Sequence, residues 1–144
     1  MEQQKNVYEL ALERIDLIFK EFDNIYVSFS GGKDSSVLLQ LCIDYIRKHN
    51  LKRKVGVFHL DYEIQYQMTL DYVNQIFEEN QDILEIYHIC VPFRVRTCTS
   101  MYQSYWRPWD EAMKELWVRP MPKKNVKTAG DFPFFKEDGT MSFN

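Results

Sequence analysis

The sequence IYVSFSGGKDSS, at residues 25–36, predicts the fold more directly than any other part of this 144-residue chain. Its first five residues, Ile25–Phe29, are rich in β-branched and aromatic side chains and predict a short strand. Gly31 and Gly32 follow at the point where the backbone must turn sharply. The almost continuously apolar stretch Ser36–His49 then predicts a helix with basic residues at its carboxyl end. The whole stretch therefore predicts a strand, a tight turn and a buried helix.

The segments on either side continue this alternation. Apolar residues at helical spacing predict an amphipathic helix over Val7–Phe22. Further along, the pattern predicts a strand at Val55–Leu60, a helix over Tyr66–Phe77 and a strand at Leu84–Val91. Strands separated by helices predict an α/β fold with three α/β/α layers, in which helices cover both faces of a parallel sheet.

The chain after Pro92 has a less regular pattern. A helix is expected around Trp109–Leu116, in a segment that also contains several prolines. Three evident strands are few for a sheet of this kind. We therefore expect either that short strands occur in the C-terminal part or that another chain completes the sheet.

The composition predicts one globular domain over residues 1–144, because 45% of the residues are hydrophobic and 27% are charged. The predicted nucleotide-binding core, residues 1–91, carries 9 basic and 15 acidic side chains. The C-terminal part, residues 92–144, begins with a segment at 92–127 that carries 8 basic and 3 acidic side chains and all three tryptophans. That segment is either a surface for an anionic ligand or a loop whose tryptophans pack on the core.

Charge, hydropathy and cysteine content exclude several classes of protein. A net charge of -3 argues against a protein that coats DNA through bulk charge. The chain lacks a run of about 18 uncharged apolar residues, which excludes a membrane span, and its polar N-terminus does not resemble a signal peptide. Cys42, Cys90 and Cys98 lack CxxC spacing and predict no disulfide scaffold. We expect a cytoplasmic protein in which Cys42 packs as a small apolar residue and the other two thiols have structural roles.

The turn at residues 28–36 has the chemistry of a phosphate-binding loop. Its glycines and the unpaired amides at the start of the following helix favour the close approach of an anion. Lys33 adds a positive charge, and Asp34 is expected either to cap the helix or to help hold Mg²⁺. The candidate phosphate ligands are Ser28, Ser30, Gly31, Gly32, Lys33, Asp34, Ser35 and Ser36, of which Lys33, Ser30 and Asp34 are also the candidate catalytic residues.

The six residues Ser30–Ser35, SGGKDS, resemble the signature of the PP-loop superfamily, which includes the ATP pyrophosphatases and the phosphoadenylylsulfate (PAPS) reductase family. The resemblance implies an adenine nucleotide alpha hydrolase-like fold that binds ATP or a PAPS-like adenine nucleotide together with Mg²⁺. The segment HLDYEIQY, at residues 59–66, stands where the PAPS reductase family has residues near the adenosine. This position implies that Asp61 and Glu63 lie near the nucleotide.

Later segments imply a branch of the family and a partner. YWRPWD at residues 105–110 and WVRPMP at residues 117–122 resemble PAPS reductase-like proteins of the IbrA type, from bacteria and phages. Such proteins often act beside a ParB/sulfiredoxin-like protein, which implies a partner of that kind, with a homo-oligomer as the alternative. Arg94 and Arg96 are expected on one side of an extended chain, either as ligands for phosphate or sulfate or as solvated surface residues.

The resemblance predicts an enzyme. An oxygen or sulfur nucleophile would attack the α-phosphate with release of pyrophosphate, or the domain would carry out sulfonucleotide chemistry. The sequence lacks the C-terminal cysteine motif of sulfonucleotide reductases and the cysteine pairs of their iron–sulfur relatives, so neither classical PAPS reduction nor an Fe–S cluster is expected. The alternative is a non-catalytic nucleotide-binding regulatory subunit that acts with a partner protein. Nucleic-acid binding through residues 92–127 is a third hypothesis, which predicts a steep salt dependence.

Two histidines complete the list of candidates. His59 and His88 each fall within a predicted strand, where structural roles are the more common ones. His59 is the better functional candidate, because it lies two residues before Asp61 at the end of a strand.

Overall fold

The computed structural model describes residues 5–97 and 100–136. Its α-helices are α1 (Val7–Glu21), α2 (Lys33–His49) and α3 (Gln67–Glu79). Its strands are β1 (Tyr26–Ser28), β2 (Val55–Leu60), β3 (Leu84–Ile89), β4 (Val95–Arg96), β5 (Tyr105–Trp106) and β6 (Val126–Lys127), and 3₁₀ helices cover Glu111–Leu116 and Ala129–Asp131.

Four of the strands form one sheet, in the order β1-β2-β3-β6. β1 pairs with β2 in parallel, with Val27 aligned to Val57, and β6 pairs with β3 in parallel, with Val126 aligned to His88. β4 and β5 form a separate antiparallel ribbon. The predicted α/β class, a three-layer fold with a parallel sheet, is confirmed. β6 is one of the short strands expected in the C-terminal part.

Contacts group the chain into two compact units. The first contains the residues up to Phe58 together with Asp71–Ile86, and the second contains His59–Leu70 and the residues from Tyr87 onward. The prediction of a single domain with a core at residues 1–91 stays a prediction.

The first unit has a conventional hydrophobic core. α1 begins with a capping box between Asn6 and Glu9 and buries Ile15 and Phe19. Cys42 of α2 lies in the same core at 4% exposure, which confirms that it packs as a small apolar residue. Burial raises the pKa of its thiol to about 11, so the group stays protonated.

The structure corrects the boundaries of the predicted helices by one or a few residues, and two of the new starting points have a clear local cause. α2 begins at Lys33 and not at Ser36, because Gly32 is its N-cap and the Gly32 carbonyl already accepts a hydrogen bond from the Ser36 amide at 3.0 Å. The helix expected around Trp109–Leu116 is a 3₁₀ helix that starts at Glu111. It does not become an α-helix because its backbone leaves the helical region at Met113, where φ is -116° and ψ is 21°.

None of the helices in the described part of the chain is both long enough and apolar enough to cross a membrane.

One glycine of the sheet is required by a neighbouring aromatic ring. A Cβ on Gly56 would lie 2.2 Å from Cδ1 of Tyr26, its partner in β1. We expect Gly56→Ala to lower the free energy of unfolding by about 1–2 kcal/mol, because the ring must leave its position across the strands. Urea unfolding followed by circular dichroism measures this change.

The double variant Tyr26→Ala/Gly56→Ala tests the cause. With the ring removed, the second substitution should cost nothing further, because alanine is better than glycine within a strand. Gly130→Ala is the matched control, since its Cβ would approach no described atom closer than 3.9 Å. An equal loss in Gly56→Ala and in Gly130→Ala would contradict the explanation.

Candidate functional site

The loop between β1 and α2 places the backbone in the conformation that the glycines were expected to allow. Phe29 is buried, and its amide donates to the Phe58 carbonyl at 2.9 Å, which fixes the loop to β2. Gly31 has a φ of 80°, in the left-handed region that an L-residue adopts only with strain. The chain then enters α2 through Gly32, which has an extended conformation and no side-chain cap.

Serine hydroxyls hold this loop together. The hydroxyls of Ser30 and Ser35 are 3.0 Å apart, and that of Ser35 donates to the Gly32 carbonyl at 3.0 Å. The Ser36 hydroxyl donates to the same carbonyl at 2.7 Å. The Gly32 amide in turn donates to the Ser30 hydroxyl at 3.2 Å. The three hydroxyls therefore shape the loop, and a ligand that used them would replace these internal bonds.

The groups that remain available at the loop suit an anion. The amides of Lys33, Asp34 and Ser35 lie in the first turn of α2, where helix geometry provides no carbonyl partner. The Lys33 side chain is exposed and has no carboxylate partner within residues 5–97 and 100–136. The candidate residues Ser28–Ser36 thus lie together at one turn of the first unit, and their contact with a phosphate stays a prediction.

Asp34 does not cap the helix. The N-cap is Gly32, and Asp34 lies exposed in the first turn. The capping role is therefore wrong, while the alternative role as a magnesium ligand stays a prediction. Mg²⁺ takes carboxylate oxygens together with phosphate oxygens, so the exposed carboxylate of Asp34 is a donor that fits this ion.

The second unit contains a buried hydrogen-bond cluster around Asp61. The carboxylate of Asp61 is fully buried and accepts from the Glu63 amide at 2.8 Å, while its other oxygen lies 2.8 Å from Nε2 of His88. The Arg119 guanidinium forms an ion pair with the same carboxylate. Burial alone would raise the pKa of Asp61, but the hydrogen bonds from His88, Arg119 and the Glu63 amide outweigh it and lower the pKa to about 2.

Glu63 is held just as closely. Its carboxylate accepts from the amides of Trp109 at 2.9 Å and Val118 at 3.0 Å, and its carbonyl accepts from Nε of Arg119 at 2.9 Å. Glu63 and Trp109 both have positive φ, at 64° and 53°. Non-glycine residues keep this conformation only where their surroundings fix it. The two carboxylates thus organise the protein itself, and their contact with an adenosine stays a prediction.

The segments YWRPWD and WVRPMP both contact the cluster around Asp61. Trp109 is buried, donates from Nε1 to the Asp61 carbonyl at 2.9 Å and packs edge-on against Trp117 with ring centroids 5.2 Å apart. Arg119 lies over the Trp109 ring at 4.8 Å. The two segments therefore clamp the Asp61–Glu63 turn, and packing is the role of Trp109. Arg119 was not among the residues predicted from the sequence. The signal that could have identified it is an Arg-Pro pair that follows a tryptophan in both segments.

His88 and Cys90 complete the cluster with Asp61. One ligand atom from each of the three buried residues lies within 4.8 Å of the others, a donor set that transition metals accept. The carboxylate is already bonded to Arg119, however, and a guanidinium opposes a second cation at the same place. Burial and the negative charge of Asp61 raise the pKa of the Cys90 thiol, which is therefore a poor nucleophile. His88 has the structural role that the sequence favoured.

His59 is also buried. Its Nε2 lies 3.3 Å from the Gln65 side chain, and its ring packs edge-on against that of His88. These contacts are structural. A functional role of His59 stays a prediction, and Cys98 lies outside the described residues.

Arg94 lies just before β4 and Arg96 lies within it. Both are exposed, and Val95 between them is less exposed. This alternation fits the expectation that they share one side of the chain. The Arg94 guanidinium lies 4.3 Å from the centre of the Tyr105 ring.

A cavity of about 710 Å³, the ribbon cavity, opens in the second unit beside β4 and β5. It brings Glu63 and Arg94 to one site, and the 3₁₀ helix Glu111–Leu116 forms another wall. The remaining polar and aromatic lining residues are Gln103, Tyr105, Trp106, Arg107, Asp110 and Trp117.

Comparison with known proteins agrees with these features. A family model described as "Phosphoadenosine phosphosulfate reductase domain" matches residues 24–123, which include the loop and both clamping segments. A curated relative, the uncharacterized protein YbdN of Escherichia coli strain K12, is 32% identical over 132 residues, or 91% of this chain. The chain spans about a third of the length of that relative. The matched family covers most of the chain, which therefore belongs to the PAPS reductase family, within the PP-loop superfamily of adenine nucleotide alpha hydrolase-like proteins.

Proposed function

We propose that this domain binds ATP or a related adenine (sulfo)nucleotide through the loop at Ser28–Ser36. The observation that carries the proposal is the loop conformation, in which Gly31 takes a φ of 80° just before three first-turn amides of α2. Such amides bind phosphate oxygens, and the helix dipole favours their negative charge. The exposed ammonium group of Lys33 would add a charge-assisted bond.

The reaction that fits this arrangement is substitution at the α-phosphorus. An oxygen or sulfur nucleophile of the acceptor forms a bond to that phosphorus, and the bond to the bridging oxygen breaks. Pyrophosphate leaves with the bonding electron pair. The loop amides and Lys33 would stabilise the charge that develops on the leaving group. Asp34 would hold Mg²⁺, which when bound would supply Lewis-acid stabilisation of the phosphate charge.

Sulfonucleotide binding is compatible with the same loop, but the two cysteines that the structure describes do not support thiol-dependent reduction. Cys42 and Cys90 are both buried with raised pKa values, so neither thiol offers a thiolate near neutral pH. The buried thiols argue against reduction and do not bear on substitution at the α-phosphorus. The second candidate function is a nucleotide-binding regulatory subunit without turnover. It would act in the cytoplasm beside a ParB/sulfiredoxin-like partner, as in the IbrA-type branch, or as a homo-oligomer.

We expect Lys33→Ala to weaken ATP binding about tenfold, because one charge-assisted hydrogen bond to phosphate is lost. Isothermal titration with ATP, PAPS and adenylylsulfate measures the affinity and identifies the preferred nucleotide. Lys52→Ala is the matched control, since Lys52 is an exposed lysine of the same unit outside the loop. Equal ATP affinities in Lys33→Ala and wild type would show that ATP does not bind at this loop, and would contradict the proposal.

Pyrophosphate release separates the two candidate functions. Purified protein is incubated with ATP and Mg²⁺, alone and with the partner, and pyrophosphate is measured by a coupled assay. Release that is lost in Lys33→Ala supports the enzyme. Tight ATP binding without release under either condition supports the regulatory subunit.

A further inference from the structure

The β4–β5 ribbon gathers arginines on one face. Val95 is aligned with Trp106 and Arg96 with Tyr105, so the same antiparallel register sets Arg94 opposite Arg107. Directly opposed residues and residues two apart share a face of such a ribbon. The face therefore carries Arg94, Arg96 and Arg107 around one aromatic residue, Tyr105.

The charges on this face are only partly balanced. Arg107 forms an ion pair with Asp110 at 2.5 Å. Arg94 is held over the Tyr105 ring, and neither it nor Arg96 has a carboxylate partner in the described part of the chain. Like charges opposite one another in a ribbon are destabilising. A face with this excess of positive charge is suited to an anion.

The surroundings indicate what kind of anion would bind. The ribbon cavity adjoins this face, and its volume of about 710 Å³ is far larger than one phosphate or sulfate needs. Its walls include the tyrosine ring and the exposed apolar side chains Met113 and Leu116. Arg94 and Arg96 are two residues apart on an extended chain, hence about 7 Å apart along it. A ligand with flat apolar groups and repeated negative charges matches both features.

We infer that the Arg94–Tyr105 face of the ribbon and the ribbon cavity form a binding site for single-stranded nucleic acid. A base enters the cavity beside Tyr105, and successive phosphates contact Arg94 and Arg96. Base stacking on aromatic rings and arginine planes, combined with a cationic track for the backbone, is the usual mode of single-strand binding. In this proposal both arginines contact the phosphates of a polynucleotide. The proposal does not depend on nucleotide binding by the loop at Ser28–Ser36.

Binding is tested by fluorescence anisotropy with labelled eight-nucleotide RNA and DNA single strands and with the corresponding duplex. Two phosphate contacts predict a slope of about -1.4 for log K against log salt, or about a sevenfold loss of affinity between 50 and 200 mM salt. Binding to either single strand, with the duplex much weaker, supports the site, and the RNA and DNA arms identify the preferred sugar. Absence of single-strand binding overturns it.

Variants assign the contacts. Arg94→Gln/Arg96→Gln should reduce the affinity about tenfold at 100 mM salt and bring the slope close to zero. Tyr105→Leu should weaken binding about tenfold without changing the slope, and Tyr105→Phe should restore it, because the ring is what stacks. Lys52→Gln, an exposed charge in the first unit, is the matched control. A slope unchanged in the double arginine variant overturns the proposal.

Two competition experiments distinguish a polynucleotide site from a site for small anions and from the nucleotide loop. Uridine monophosphate that displaces the oligonucleotide as effectively as an unlabelled eight-nucleotide strand would show a site for small anions and overturn the proposal. ATP titration of the same samples separates this site from the loop. Lys33→Ala should lose ATP affinity and keep oligonucleotide affinity. Loss of ATP affinity in Arg94→Gln/Arg96→Gln would show that these arginines bind the adenine nucleotide, and would overturn the proposal.

Discussion

Arg119→Met is expected to lower the free energy of unfolding by about 3–5 kcal/mol, because it leaves the Asp61 carboxylate buried without its cationic partner. Methionine keeps an apolar stem over the Trp109 ring, so most of the packing is retained. The substitution also removes the donor to the Glu63 carbonyl. Urea unfolding at pH 7, followed by tryptophan fluorescence, measures the change.

Lys20→Met is the matched control, since it breaks an ion pair with Asp16 that is exposed to solvent. That pair should be worth less than about 1 kcal/mol. The double variant Asp61→Asn/Arg119→Met should recover part of the loss, because it no longer buries an unpaired charge. A cost below about 1 kcal/mol for Arg119→Met would show that the cluster does not depend on this ion pair.

The dependence of the free energy of unfolding on pH, below neutral pH, is a second test of the Asp61–Arg119 ion pair. The pKa of Asp61 is lowered from 3.8 to about 2 in the folded protein, so its contribution is fully present above about pH 5 and is lost progressively as the pH falls through both pKa values. The contribution amounts to about 2 kcal/mol. In Arg119→Met the pKa of Asp61 should rise, and the acid-induced loss should begin at a higher pH than in wild type.

This cluster also shows where sequence reasoning reaches its limit. The loop and the order of helices and strands are local patterns, and the structure reproduces β2 with the predicted bounds. Arg119 and Asp61 are 58 residues apart and meet only through tertiary packing, which no periodicity predicts. Short strands were expected in the C-terminal part, but the position of β6 was not predicted, because this two-residue strand is defined by its pairing with β3. The order of strand, turn and helix around the loop was predicted, while the partners of Asp61 and Glu63 were not.

Gly31→Val is expected to weaken ATP binding about a hundredfold. A β-branched residue does not tolerate the φ of 80° found at this position, and the loop must move to a negative φ. The movement redirects the amides at the start of α2, and each hydrogen bond to a charged group contributes about 1.5–3 kcal/mol. If two such bonds are weakened and water molecules partly replace them, the expected hundredfold loss of ATP affinity follows. Isothermal titration with ATP and Mg²⁺ measures it.

Gly31→Asn distinguishes backbone strain from the added volume of a side chain. Asparagine is close to valine in size but adopts positive φ far more readily. It should therefore retain ATP affinity to within about threefold of wild type. Gly31→Asn should unfold at nearly the urea concentration of wild type, because asparagine accepts the positive φ, whereas Gly31→Val should unfold at a lower urea concentration. If asparagine weakens binding as much as valine does, the left-handed conformation is not what positions the amides, and the glycine is needed only for the space that it leaves to the ligand.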